Sequence, residues 1–205
     1  MSDPEISVVI RTFNEEKFLP ALLDALNQQT SRNFETVVVD SGSMDRTREI
    51  AAQKADQLLR IQSHDFTFGH SLNVGIRQAS GQYVVIVSAH TLPVDNDWLS
   101  KLIDPFHDDQ TAMVYGRQLG GEASKFSESQ DMRRTFGSER KVLQPPRFFA
   151  NNANSAIRKD LWQQHPFDEG LPGLEDIEWA KYWMERDYQV IYEPAAALYH
   201  IHEES

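Results

Sequence analysis

Val37-Val38-Val39-Asp40-Ser41-Gly42-Ser43-Met44-Asp45-Arg46-Thr47 reads as a buried strand that runs directly into a helix. With Glu35 and Thr36 before them, the three valines form the β-branched run expected of a strand covered on both faces in a parallel sheet. Asp40 then stands at the carboxyl end of the strand, Gly42 permits a tight backbone approach, and Ser43 suits a helix N-cap. Asp45 falls in the first turn, where the helix dipole favours a carboxylate. Open α/β sheets bind ligands at these strand ends, and a carboxylate there can accept hydrogen bonds from a base N–H or from ribose hydroxyls. The competing reading is that Asp40 and Asp45 only cap the following helix.

The same alternation extends in both directions. Ile6 to Arg11 is a second β-branched run, after which Asn14 can cap a helix whose Phe18, Leu19, Leu22, Leu23 and Leu26 share one stripe. Downstream, Leu58 to Ile61 reads as a strand, His70 to Ala79 as a helix and Tyr83 to Val87 as a strand. Repeated βα steps predict an α/β class protein with a mostly parallel sheet and helices on both faces. Beyond Pro93 the pattern loosens. A helix is expected from Asp97 to Phe106, a strand from Ala112 to Tyr115, and an aperiodic excursion from Gly116 to Ala150. Ala153 to Ile157, a helix from about Leu174 to Arg186, and two short strands at Val190 to Tyr192 and Ala196 to Tyr199 complete the reading.

Composition narrows the function classes. The 205 residues include no cysteine, which excludes disulfides, thiolate metal sites and a cysteine nucleophile. A formal net charge of −11 argues against nucleic acid as a partner, and any anionic ligand needs local cations. The richest such stretch runs from Lys125 to Arg147, where Lys125, Arg133, Arg134, Arg140, Lys141 and Arg147 outnumber Glu128, Asp131 and Glu139; it reads equally as a solvated loop. The opening Met1-Ser2-Asp3-Pro4-Glu5 is acidic and no apolar run is long enough to span a bilayer, so a cytoplasmic protein is expected, with peripheral membrane association left open. Neither G-x-G-x-x-G nor a P-loop occurs, which argues against a dinucleotide-dependent dehydrogenase.

Val8-Val9-Ile10-Arg11-Thr12-Phe13-Asn14-Glu15, followed by Val39-Asp40-Ser41-Gly42-Ser43-x-Asp45-x-Thr47, resembles the opening of family 2 glycosyltransferases of the GT-A fold. Gly69-x-Ser71-Leu72-Asn73-x-Gly75 and Ala79-x-Gly81 extend the likeness, and the lead-in Phe66-x-Phe68-Gly69 is similar to bacterial rhamnosyltransferase-like members. The resemblance implies one GT-A domain over residues 1–205, a Rossmann-like three-layer sandwich with a mostly parallel central sheet and a small antiparallel portion on the acceptor side. Residues 1–115 would be the nucleotide-binding half and 116–205 the acceptor-binding half. It also implies that Thr12, Asn14, Glu15, Asp40 and Asn73 line the nucleotide pocket, Asp40 nearest the base, and that Ser88 belongs to the same nucleotide-sugar site.

Where the family usually ends its next strand in Asp-x-Asp to hold a divalent cation on the donor diphosphate, this chain has Ser88-Ala89-His90. Two readings stand: a modified site in which His90 binds Mn²⁺ more readily than Mg²⁺, which prefers oxygen ligands, or metal-independent catalysis with His90 or a basic side chain facing the phosphates. An ordinary loop histidine is the third. Glu175-Asp176 opens the last helix. By resemblance Asp176 is the general base and Glu175 a supporting or acceptor-binding residue, whereas an acidic pair that merely suits the helix dipole is the plainer account. His200, rather than His202, is the candidate for the metal or diphosphate near the end of the chain, against a strand residue without a role.

The expected activity is inverting transfer of a single sugar from a nucleotide diphosphate sugar to a saccharide or lipid-linked saccharide hydroxyl. Inversion requires one base to deprotonate the attacking hydroxyl. The Gln-x-x-Arg-Trp element of processive synthases is absent from the sequence. The alternative from another class is a catalytically silent sugar-nucleotide or glycan binding module, motivated by the missing carboxylates.

Overall fold

The structure is a computed structural model, and it describes residues 4–120 and 135–201. Its core is a parallel block formed by β1 (Ile6–Thr12), β2 (Phe34–Asp40), β3 (Gln57–Arg60) and β4 (Tyr83–Ser88), in the order β3-β2-β1-β4. The β-branched runs fall here because both faces of the block are covered. Ile6, Val8, Ile10, Val38, Val85 and Val87 pack on one side against Leu19, Leu22, Leu23 and Leu26 of α1 (Leu19–Leu26) and against α4 (Trp98–Ile103). Val9, Val37, Val39, Val84 and Ile86 pack on the other, against Leu72 and Ile76 of α3 (Phe68–Gln78). The period of two along each strand thus sorts the side chains between two helical layers.

Past β4 the sheet turns antiparallel. β8 (Asn154–Arg158) pairs with β4 and with β6 (Thr111–Gly120); β6 runs parallel to β9 (Gln189–His200). β9 also carries β5 (Thr91–Pro93) and β7 (Lys141–Leu143), which completes a sheet of nine strands among the described residues. The expected parallel sheet with antiparallel additions is what forms. The division at residues 115 and 116 falls inside β6, and β8 from the later half lies directly against β4 from the earlier one.

Several local expectations are corrected. Asn14 does not cap α1: the helix starts after Phe18, with no side-chain cap, and Asn14 lies in a left-handed turn at φ 56°. Ser43 does not cap α2 (Thr47–Lys54) either; the Asp45 carboxylate takes the Thr47 N–H at 2.9 Å. α3 begins at Phe68 because the Thr67 hydroxyl accepts the His70 N–H at 3.0 Å. The two short terminal strands are one strand, β9, broken by a register shift, and β6 and β7 occupy parts of the expected excursion. Lys125, Glu128, Asp131, Arg133, Arg134 and His202 lie outside the described residues, while Arg140 sits 3.5 Å from Glu193.

Gly116 marks the point where the β6–β9 register shifts. A Cβ there would stand 2.1 Å from the Ala196 carbonyl oxygen and 2.4 Å from Asn154 Nδ2. Gly116→Ala is expected to cost about 1–3 kcal/mol of stability, read as a fall in Tm of roughly 2–4 °C per kcal/mol. Gly137→Ala, where nothing lies within 4 Å of the added methyl, should leave the melt unchanged.

Candidate active site

Parallel pairing brings three strand ends level: Thr12 lies opposite Asp40, and Arg11 opposite Ser88. Above them opens a cleft of ≈ 420 Å³. Thr12, Ser41, Ser88 and His90 line it from the first part of the chain, Glu175, Asp176 and His200 from the later part, with Phe13, Phe66 and Phe68 as an aromatic border. Of the residues singled out in the sequence, Thr12, Ser88, His90, Glu175, Asp176 and His200 are brought together. Asn14, Glu15, Asp40 and Asn73 are not among those lining the cleft.

Each of the four makes hydrogen bonds within the protein, and Asp40 and Asn73 are buried. Asp40 is 1% exposed and accepts the Gly42 N–H at 3.2 Å and the Ser43 N–H at 3.1 Å, an arrangement that Gly42 permits at φ 94°. That turn delivers Ser41 to the cleft, with its Oγ buried and lacking a hydrogen-bond partner among the described residues. Asn14 Oδ1 accepts the Met44 N–H at 2.8 Å, and the Asn14 and Glu15 N–H groups donate to Ser43 Oγ and Thr47 Oγ1 at 2.9 and 2.7 Å. The residues read as helix caps therefore stitch the β1 loop to the β2 loop. Asn73, buried, donates to the Phe167 carbonyl and to Glu169 Oε1 at 2.8 and 2.9 Å and accepts from Trp162 Nε1 and the Phe167 N–H at 2.9 and 3.2 Å. Its amide has no bonding capacity left for a ligand.

The carboxylate pair opens α6 (Glu175–Met184), which follows the short α5 (Lys159–Gln164), just after Leu174, which is left-handed at φ 65°. A non-glycine residue in that region is strained and needs a surrounding structure that holds it. Asn152 does so. Its N–H donates to Asp176 Oδ2 at 3.0 Å and its side-chain amide to Glu175 Oε1 at 3.2 Å, while the Ile177 N–H donates to Asp176 Oδ1 at 2.8 Å. Burial, reinforced by the charge on Glu175, holds the Asp176 carboxyl above the usual carboxylate range despite these hydrogen bonds. A carboxylate of raised basicity facing a cleft is suited to take a proton from a hydroxyl.

The His90 and His200 rings stack with centroids 4.8 Å apart and planes 12° from parallel. Glu15 Oε1 lies 2.7 Å from His90 Nδ1, and Gln118 Oε1 lies 2.8 Å from His200 Nδ1. Among the described residues no three His, Asp or Glu side chains form a group able to hold a metal ion.

Reading by residue type missed Arg11 and Asn152. Arg11 was hidden as the polar end of a β-branched strand, and Asn152 follows an aperiodic stretch with only the Asn151-Asn152 doublet as a signal. Both line the cleft. The Arg11 guanidinium lies 4.7 Å from the Phe68 ring centroid. Burial lowers its pKa, an effect opposed by attraction to Glu175 and Asp176.

Residues 7–165 match the sequence profile described as Glycosyl transferase family 2. The chain belongs to this family. It is thereby a glycosyltransferase domain, and its relatives agree. The O-antigen chain rhamnosyltransferase RfbN of Salmonella typhimurium is 27% identical over 209 residues, covering 97% of this chain and 67% of that protein. The glycosyltransferase AglE of Haloferax volcanii is 28% identical over 201 residues, covering 92% and 64%. The chain therefore spans about two thirds of these relatives' length. Solved structures with the same GT-A fold include a Pyrobaculum calidifontis mannosyltransferase in complex with GDP-Man and Mn²⁺, at TM-score 0.74 and 22% identity over 97% of this chain and 57% of that one. S. aureus TarS 1–349 in complex with UDP-GlcNAc aligns at TM-score 0.75 and 21% identity over 98% and 59%. Among the described residues no helix is long and apolar enough to cross a membrane.

Because the Asn73 amide is spent inside the protein, Asn73→Ala is expected to act on stability. It leaves the Trp162 and Phe167 N–H groups buried without acceptors, at a cost on the order of 3 kcal/mol by denaturant unfolding. A variant with unchanged stability and weakened donor binding would contradict this placement.

Proposed function

We propose that this cleft transfers a single sugar from a nucleoside diphosphate sugar to a hydroxyl of a saccharide or lipid-linked saccharide, with inversion at the anomeric carbon and Asp176 as general base. One observation carries the reading: Asp176, held above the usual carboxylate range, opens on the same cleft as the strand ends Thr12, Ser41 and Ser88. The acceptor O–H proton passes to Asp176 as the oxygen bonds to the anomeric carbon. The bond from that carbon to the diphosphate oxygen breaks on the opposite face, and its electron pair leaves with the diphosphate. Glu175 keeps Asp176 basic through its charge and, with Asn152, fixes its orientation. Thr12, Ser41 and Ser88 meet the donor, while Asn14, Glu15, Asp40 and Asn73 set the loops that carry them. Support comes from the solved relatives, one holding GDP-Man with Mn²⁺ and another UDP-GlcNAc. Among the described residues lining the cleft, His90 and His200 are the side chains that would offer nitrogen donors should a cation accompany the donor, and no step is assigned to it.

Asp176→Asn is expected to lower transfer by about 10²–10⁴-fold while donor affinity, measured by calorimetry, is kept; undiminished turnover would remove the base assignment. Since the base must be ionised to accept a proton, turnover falls as pH drops through the raised Asp176 pKa. Glu175→Gln removes the neighbouring charge that helps to raise it, so the acid limb of the pH–rate profile should move to lower pH. A second reading, a silent binding module, is favoured by the absence of carboxylates at Ser88-Ala89-His90. Donor binding without transfer or donor hydrolysis, in chelator and in Mn²⁺ or Mg²⁺ alike, would establish it.

A further inference from the structure

We infer that Arg11 is the residue that binds the donor diphosphate, supplying from the protein itself the positive charge that the phosphates need; this rests on the nucleotide-sugar reading above. Among the described residues lining the cleft, Arg11 alone carries a permanent positive charge. It is the cross-strand neighbour of Ser88, and residues in register on parallel strands project to the same face of the sheet. A carboxylate at position 88 would lie beside the guanidinium and neutralise it. Serine leaves the charge available.

The surroundings of Arg11 are those of a group awaiting an anion. Among the described residues its Nε is buried without a hydrogen-bond partner and no carboxylate lies within ion-pair distance of its guanidinium. Glu175 and Asp176 attract it from further away, but both already accept hydrogen bonds from Asn152. The Phe68 ring, 4.7 Å from the guanidinium, fixes the fork and supplies no acceptor in its plane. An incompletely paired buried charge is costly to the folded protein. Two phosphate oxygens can relieve that cost through bidentate bonds, a geometry that guanidinium offers and ammonium does not.

Calorimetric titration of the full chain with UDP, GDP and dTDP and with the corresponding nucleosides, all in chelator, tests the assignment. The wild-type chain should bind one diphosphate more tightly than its nucleoside. Arg11→Gln should lose about ten- to a hundredfold of that diphosphate affinity with nucleoside affinity unchanged, and Arg11→Lys should recover part of it. Equal diphosphate affinity in Arg11→Gln, or an equal loss for nucleoside and diphosphate, would overturn the assignment, the latter by showing that Arg11 serves only to hold Glu175 and Asp176. Wild-type binding that requires Mn²⁺ would also overturn it while sparing the nucleotide-sugar reading. No binding of any diphosphate under either condition would instead refute that reading. Should Arg11→Gln fail to fold, Ser88→Asp carries the test: it should weaken diphosphate binding in chelator by pairing with Arg11, and unchanged affinity would count against the role.

Discussion

A guanidinium and two carboxylates, all withdrawn from bulk water, share one cleft, and much of the surrounding structure serves to hold them there. Charges that interact at 4 Å with about 1 kcal/mol in water interact with about 4 kcal/mol at the effective dielectric near a protein surface. Left without restraint, Arg11 and the Glu175–Asp176 pair would collapse together or turn outward. Asn152 occupies the carboxylates, one through its main chain and one through its side chain, and Phe68 packs against the guanidinium. The separation of opposite charges is thus maintained by neutral partners, which leaves each group able to act on a ligand.

The layer behind the cleft transmits the fold to these groups. Asn73 on α3 binds Trp162, Phe167 and Glu169, and Glu169 in turn holds His70 at 2.8 Å and Arg77 at 3.1 Å. These bonds pin the segment that leads into Leu174 and α6. On the other side, Asn14, Ser43, Thr47 and Asp45 tie the β1 loop to the β2 loop. The position of Asp176 relative to the strand ends therefore follows from the packing of α3 and its hydrogen bonds as much as from α6 itself.

How far this was legible depends on whether the signal was local. Runs such as Val37-Val38-Val39 and Val84 to Val87 declare strands buried on both faces, because few polar positions interrupt them. The leucine stripe of α1 declares its helix, but the helix start does not follow, since Asn14 is drawn into a left-handed turn by Ser43 and Met44, far along the chain. Asn73 is a polar residue on the buried face of α3, yet its partners lie 89 to 96 residues away, so its type does not disclose its purpose. Arg11 and Asn152 matter only because strand register and a distant loop converge on one opening. Register is a property of the assembled sheet, and no local period reports it.

Serine at position 88 and arginine at position 11, cross-strand neighbours, together set the charge at this end of the sheet. The molecule carries a net charge of −11, so its surface repels a phosphate ligand except where a local field reverses that sign. With Arg11 beside Ser88, the floor of the cleft is positive and the wall formed by Glu175 and Asp176 is negative. Under the proposed chemistry the diphosphate gains negative charge as its bond to the sugar breaks, while Asp176 loses its own on taking the acceptor proton. The net charge of the site is then conserved during transfer, and the new charge develops on the side where a fixed guanidinium already faces it. A cation held in place before reaction need not reorganise when charge moves, which is the condition under which electrostatics lowers a barrier most.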